Sequence, residues 1–97
     1  MEWSGYDIPD LFGSYVAKYG ASPAFSIFAN EDEALQKVRG GFNADAVHPC
    51  TYSLLPFVEA GMAKPIDTAR LSNWNDVFDP LKTGGVMVNG QVYMAPA

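Results

Sequence analysis

The sequence predicts an α/β domain in which three βα units, built on a mostly parallel sheet, are followed by a C-terminal β-hairpin. Short aromatic or β-branched runs alternate with helical patterns along the chain, and an Asn-Gly pair separates two apolar runs near its end. The chain has 97 residues, and no linker, repeat or low-complexity tract divides it. We therefore expect a single domain over residues 1–97.

The first unit combines the short aromatic segment 3–6 with a helix. Asp7 is the predicted N-cap, Pro9 occupies an early helical position, and Gly20 follows the last turn. The apolar residues at helical spacing form the predicted buried face: Leu11, Phe12, Tyr15, Val16 and Tyr19.

The second unit pairs a strand over 23–29, expected to be covered on both faces, with a helix capped by Asn30. Glu33 follows Asn30 at the spacing of a capping box, and Glu33 with Lys37 forms an i,i+4 pair expected to be solvated. The predicted buried stripe of this helix is Ala34, Leu35 and Val38.

The third unit has a short strand over 45–48 and a helix capped by Thr51, which tolerates Pro56 in its first turns. Its predicted apolar residues are Leu54, Leu55, Phe57 and Val58. The hairpin consists of 86–88 and 91–94, joined by a type I′ turn at Asn89-Gly90. The first strand is short and the last one ends abruptly, so we expect the chain to be part of a larger domain.

Composition excludes several classes of function. The apolar fraction of 48% is typical of a globular chain, and the net charge of −5 argues against a nucleic-acid partner. A single cysteine excludes an internal disulfide framework and a multi-thiolate zinc site, and we predict no metal and no cofactor. No apolar run matches a transmembrane helix, and the first residues lack a signal-peptide pattern, so the chain as given is predicted to be cytoplasmic.

Two loops are candidates for ligand binding, because ligands of open α/β sheets bind beyond the carboxyl ends of the strands. These loops are 3–6 and 49–52, and their aromatic rings suit an ammonium group through cation–π contact. The candidate ligand-binding residues are Trp3, Ser4, Tyr6, Cys50, Thr51 and Tyr52. The alternative interpretation is that Trp3 and Tyr6 only cover the first helix.

Cys50 with His48 as its base is the one arrangement that suggests catalysis. The two residues lie on either side of Pro49, need not face each other, and have no identifiable third orienting group. We therefore favour an unreactive thiol and predict that the chain is not an enzyme.

Several segments carry a family likeness, and they occur in order along almost the whole chain. They are 3–11, 26–35, 42–52, 59–62, 64–67, 71–74 and 92–96. In sequence and spacing they resemble the polyamine-binding proteins, the periplasmic spermidine/putrescine receptors of ABC importers. The segment 42–52, for example, is similar to the family's "YDLVVPSxY".

This resemblance implies a type II periplasmic-binding-protein fold, of which the chain is an incomplete N-terminal lobe, and a periplasmic parent protein that docks on an ABC permease. It also implies that Trp3, Ser4 and Tyr6 contact ligand, and that Tyr52 faces it. Cys50 stands where the family has a small Ser, and Thr51 lies between Cys50 and Tyr52. His48 replaces an apolar residue, and in the family the carboxylates that pair with ligand amines lie in parts beyond this chain.

Two functions follow from these observations. In the first, the chain is a fragment of a binding protein for a polyamine or similar cationic solute. In the second, it is a stand-alone short protein that self-associates through unpaired sheet edges, without binding a ligand. We expect the isolated chain to form a homo-oligomer.

Overall fold

A computed structural model of the protein describes residues 1–96. Helices and strands both contribute to it, which confirms the α/β class at a coarse level. Contacts within the chain divide it into two units, Met1–Pro49 and a second that begins at Cys50.

The first unit contains two strands, a 3-10 helix and two α-helices. They are β1 (Glu2–Trp3), the 3-10 helix Pro9–Leu11, α1 (Gly13–Tyr19), β2 (Ile27–Phe28) and α2 (Glu31–Arg39). The two strands pair in parallel, with Glu2 opposite Ile27 and Trp3 opposite Phe28.

β1 is flanked on its other side by the segment 46–48. The amino group of Met1 donates a hydrogen bond to the Ala46 carbonyl at 2.6 Å, and the His48 N–H donates one to the Met1 carbonyl at 3.1 Å. In neighbouring parallel strands, one residue bonds to two residues of the other strand that lie two positions apart, as Met1 does here with Ala46 and His48. The first extended segment is therefore the middle one. The predicted strand over 45–48 is wrong as regular secondary structure, because two bonds to a single residue do not make a ladder.

The first helix differs from the prediction at its start. Helical structure begins at Pro9, so the N-cap position falls on Ile8 rather than on Asp7. The chain then breaks at Phe12, whose φ of −130° separates the 3-10 helix from α1. The end is as predicted: Gly20 is left-handed at a φ of 77°, and its N–H donates to the Val16 carbonyl at 2.8 Å.

The predicted buried face of this helix is wrong. Leu11, Tyr15 and Tyr19 are exposed, whereas Phe12 and Val16 are half-buried. The rings of Tyr15 and Tyr19 contact each other in a tilted arrangement, with centroids 4.5 Å apart and an interplanar angle of 43°. The break at Phe12 also takes Leu11 out of the helical register of α1.

The second strand and helix follow the prediction in part. The strand is limited to Ile27–Phe28 rather than 23–29, because β1 offers it only two residues to pair with. Phe28 is buried, and so is Ala34 on the facing part of α2. Asn30 caps α2 as predicted, with its side chain accepting a hydrogen bond from the Glu33 N–H.

The second unit contains three 3-10 helices, two α-helices and a hairpin among its described residues. They are Thr51–Ser53, α3 (Leu54–Glu59), Thr68–Arg70, Trp74–Asp76, α4 (Asp79–Thr83), β3 (Met87–Val88) and β4 (Gln91–Val92). Its buried apolar residues are Leu54, Phe57 and Val86, and the predicted Leu55 is exposed instead.

The hairpin is confirmed, and one helix was not predicted. Met87 pairs with Val92 across the Asn89-Gly90 turn, in which both residues have positive φ. α4 begins at Asp79, in a part of the chain for which the sequence analysis predicts no helix. Pro80 lies in its first turn, a position at which proline starts a helix rather than stopping one.

Candidate functional site

Trp3, Ser4 and Tyr6 belong to one β-turn that follows β1. The Tyr6 N–H donates to the Trp3 carbonyl at 3.2 Å and closes the turn. Gly5 has a φ of 92°, the positive value that type II turns require at their third residue. The turn leaves Ser4 exposed and presents Tyr6 with 52% of its surface accessible.

The Trp3 ring makes a contact within the first unit. It packs against the buried Phe28 with ring centroids 4.6 Å apart and a tilt of 56°. Trp3 itself is half-buried, so part of the indole stays accessible. This ring therefore packs on the paired strands β1 and β2.

The Tyr6 ring meets the imidazole of His48. The centroids lie 5.3 Å apart with an interplanar angle of 85°, which is an edge-to-face arrangement. His48 Nδ1 lies 2.8 Å from Glu2 Oε1, and the same oxygen accepts the Trp3 N–H at 2.7 Å. Glu2 and His48 thus form a part-buried polar pair directly beside the turn.

Cys50, Thr51 and Tyr52 lie at the start of the second unit. Cys50 is extended and half-buried, and its carbonyl accepts hydrogen bonds from the N–H of Ser53 at 3.1 Å and from its hydroxyl at 3.0 Å. These two bonds fix the 3-10 turn that carries Thr51 and Tyr52. Tyr52 is 75% accessible, which makes it one of the most exposed rings among residues 1–96.

Thr51 does not act as the predicted cap. It is the first residue of the 3-10 helix Thr51–Ser53, so the cap position falls on Cys50. Thr51 is exposed but lies against Gly85, where a β-carbon would come within 2.8 Å of the Thr51 Cβ. The side chain of Thr51, including its hydroxyl oxygen at 3.4 Å from that β-carbon position, is therefore close to Gly85 although the residue as a whole is exposed.

The six predicted residues fall into two groups, one in each unit. Trp3, Ser4 and Tyr6 share one turn, and Cys50, Thr51 and Tyr52 share another. No sequence pattern indicates that Glu2 lies beside this turn. The position of Glu2 follows from the parallel register of β1 and the segment 46–48. Met1 bonds to Ala46 and His48, and this register brings Glu2 next to His48.

Within residues 1–96, no group of three or more His, Cys, Asp or Glu side chains is arranged to hold a metal ion. None of the helices in that part of the chain has the length and apolar character needed to cross a membrane.

Comparison of the chain with family models, with curated proteins and with solved structures found no match.

Proposed function

We propose that the chain forms part of the first lobe of a periplasmic solute-binding protein that captures a polyamine, or a similar cationic solute, for an ABC importer. The observation that carries the proposal is the turn 3–6. It presents the half-exposed Tyr6 ring beyond the carboxyl end of β1, which is the central extended segment of its unit. That end of a parallel sheet is where open α/β folds bind ligands. The resemblance to polyamine receptors supplies the solute class.

The surroundings of the Tyr6 ring suit an ammonium group. An aromatic face attracts a cation by about 0.5 to 2 kcal/mol, depending on how far the pair is desolvated. The net charge of −5 adds a long-range attraction for cations.

Capture in this proposal involves no covalent chemistry. The solute is held between two lobes, and carboxylates of the second lobe pair with its amines. A chain that supplies one wall makes few contacts to offset the entropy of association. We therefore expect it to bind spermidine weakly, in the millimolar range.

The test is a spermidine titration followed by nuclear magnetic resonance at constant ionic strength. The two tryptophans, Trp3 and Trp74, give separate indole N–H signals, which a Trp74→Phe variant assigns. The Trp3 signal and the Tyr6 ring signals should shift and saturate, while the Trp74 signal stays in place. Equal shifts of both indoles, or none, would contradict the proposal.

A matched pair of variants sharpens this test. Tyr6→Leu removes the proposed cation contact, whereas Tyr15→Leu removes another exposed tyrosine from α1. Tyr6→Leu should weaken spermidine binding, and Tyr15→Leu should leave it unchanged. The same loss in both variants would show that spermidine binds tyrosines without preference for the turn.

The second candidate function is self-association without a ligand. It is favoured by the exposed apolar side chains of Leu11, Tyr15 and Tyr19 on and beside α1. Light scattering with and without spermidine separates the two candidates. A monomer that binds spermidine supports the solute-binding protein, and a dimer indifferent to spermidine that dissociates in a Tyr19→Lys variant supports self-association.

A further inference from the structure

The Glu2–His48 pair makes no contact with the solute in the proposed capture, yet it is partly buried and hydrogen-bonded. Both side chains are only partly accessible, at 19% for Glu2 and 31% for His48. Glu2 Oε1 receives two hydrogen bonds, from His48 Nδ1 and from the Trp3 N–H. A carboxylate can only accept, so Nδ1 carries the hydrogen. This carboxylate therefore fixes the orientation of the imidazole and the first residue of the turn together.

The fixed imidazole in turn contacts the Tyr6 ring. The edge-to-face geometry, at 5.3 Å and 85°, is the arrangement that aromatic quadrupoles favour. Tyr6 is half exposed, and a ring in that position rotates between conformers unless a neighbour restrains it. His48 is such a neighbour.

We infer that His48, anchored by Glu2, is a positioning residue that holds the Tyr6 ring in the orientation that receives the cation. This inference rests on the proposed function and adds to it the means by which the ring is preorganised. A ring that is already oriented binds more tightly, because less conformational entropy is lost on association.

Three variants separate positioning from direct contact with the solute. His48→Asn retains a donor toward Glu2 but removes the ring. Glu2→Ala removes the acceptor, whereas Glu2→Gln keeps an acceptor for both hydrogen bonds and removes only the charge. If Glu2 acts by holding His48, the glutamine variant should bind spermidine like the parent chain.

His48 is the single histidine of the chain, so its imidazole signals can be identified without ambiguity in a nuclear magnetic resonance spectrum. We would measure the nuclear Overhauser contact between His48 and the Tyr6 ring, and the spermidine affinity from the Tyr6 shifts. The contact should persist in Glu2→Gln and vanish in Glu2→Ala. Affinity should fall about two- to tenfold in His48→Asn and Glu2→Ala.

If His48→Asn binds spermidine as the parent chain does, the positioning role is overturned and the proposed function stands. If Glu2→Gln loses as much affinity as Glu2→Ala while keeping the His48–Tyr6 contact, the carboxylate acts on the solute directly and the inference is again overturned. If the parent chain shows no Tyr6 shift, the proposed function fails, and the positioning role fails with it.

Discussion

The side-chain oxygen of Asn30 accepts the Glu33 N–H at 2.9 Å, and Glu33 Oε2 accepts the Ala29 N–H at 2.9 Å in return. The Glu33 N–H otherwise lacks a partner in the helix, and the bond to the Ala29 N–H ties the residue before the cap to the first turn, so the two bonds stabilise the start of α2. Glu33 also pairs with Lys37 at 3.0 Å, and Lys37 Nζ donates to the Ile27 carbonyl at 2.6 Å. Lys37, in the last turn of α2, thus bonds the helix to β2, and Glu33 bonds it to Ala29 directly after that strand.

Replacing Asn30 should test the cap alone. Asn30→Ala removes the acceptor for the Glu33 N–H and should lower the free energy of unfolding by about 1 kcal/mol. Asn30→Ser is the matched control, because serine caps nearly as well as asparagine. Urea denaturation of both variants measures the difference. Equal stabilities of the alanine and serine variants would contradict the role of the cap.

Acid should destabilise the start of α2 by protonating the Glu33 carboxylate. The hydrogen bond from the Ala29 N–H, followed by that from Lys37, lowers the pKa of the Glu33 carboxyl below its ordinary value. A lowered pKa in the folded state means that the charged form is favoured there. Its contribution to stability is present above the unfolded pKa and is lost as the pH falls through the folded pKa.

A carbon-13 titration of the Glu33 carboxyl should therefore give a midpoint below that of an unfolded peptide. Glu33→Gln is the control for stability: its deficit relative to the parent chain should shrink as the solution is acidified below the folded-state midpoint. A deficit that is constant with pH would show that the charge of Glu33 contributes nothing.

Alanine should have opposite effects on stability at two glycines, Gly90 in the hairpin turn and Gly13 in α1. Gly90 has a φ of 77°, so Gly90→Ala forces an alanine into the left-handed region and should cost about 1–2 kcal/mol. Gly13, in the first turn of α1, has open space where a β-carbon would stand. Gly13→Ala should stabilise the chain by up to about 1 kcal/mol. Chemical denaturation checks the opposite signs, and a loss of stability in both variants would contradict the assignment.

Signals that lie within a few residues of each other were read correctly from the sequence. The cap at Asn30, the left-handed end at Gly20 and the Asn89-Gly90 turn all have the predicted form. Each depends on a backbone conformation or a hydrogen bond between near neighbours. Local chemistry alone decides such features, so the sequence is sufficient to predict them.

Features set by pairing over long distances were not predicted. Asp7 has good capping chemistry, but the structure starts the helix at Pro9 and places the cap at Ile8. The contact between Glu2 and His48 spans 46 positions of the chain and depends on the register of β1 against the segment 46–48. Composition and periodicity carry no information on that register, so the contact between Glu2 and His48 could not be predicted from the sequence.

The close approach of Gly85 to Thr51 provides the last prediction. A methyl group at Gly85 would lie 2.8 Å from the Thr51 Cβ, a distance too short for two carbons, so Gly85→Ala should destabilise the chain by about 1–3 kcal/mol. Thr51→Ala keeps the Cβ and should not relieve the clash, whereas Thr51→Gly removes it. The double variant Gly85→Ala with Thr51→Gly should therefore be more stable than the sum of the two single effects predicts. Urea denaturation of all four chains measures this coupling, and strictly additive effects would show that the two residues do not touch in solution.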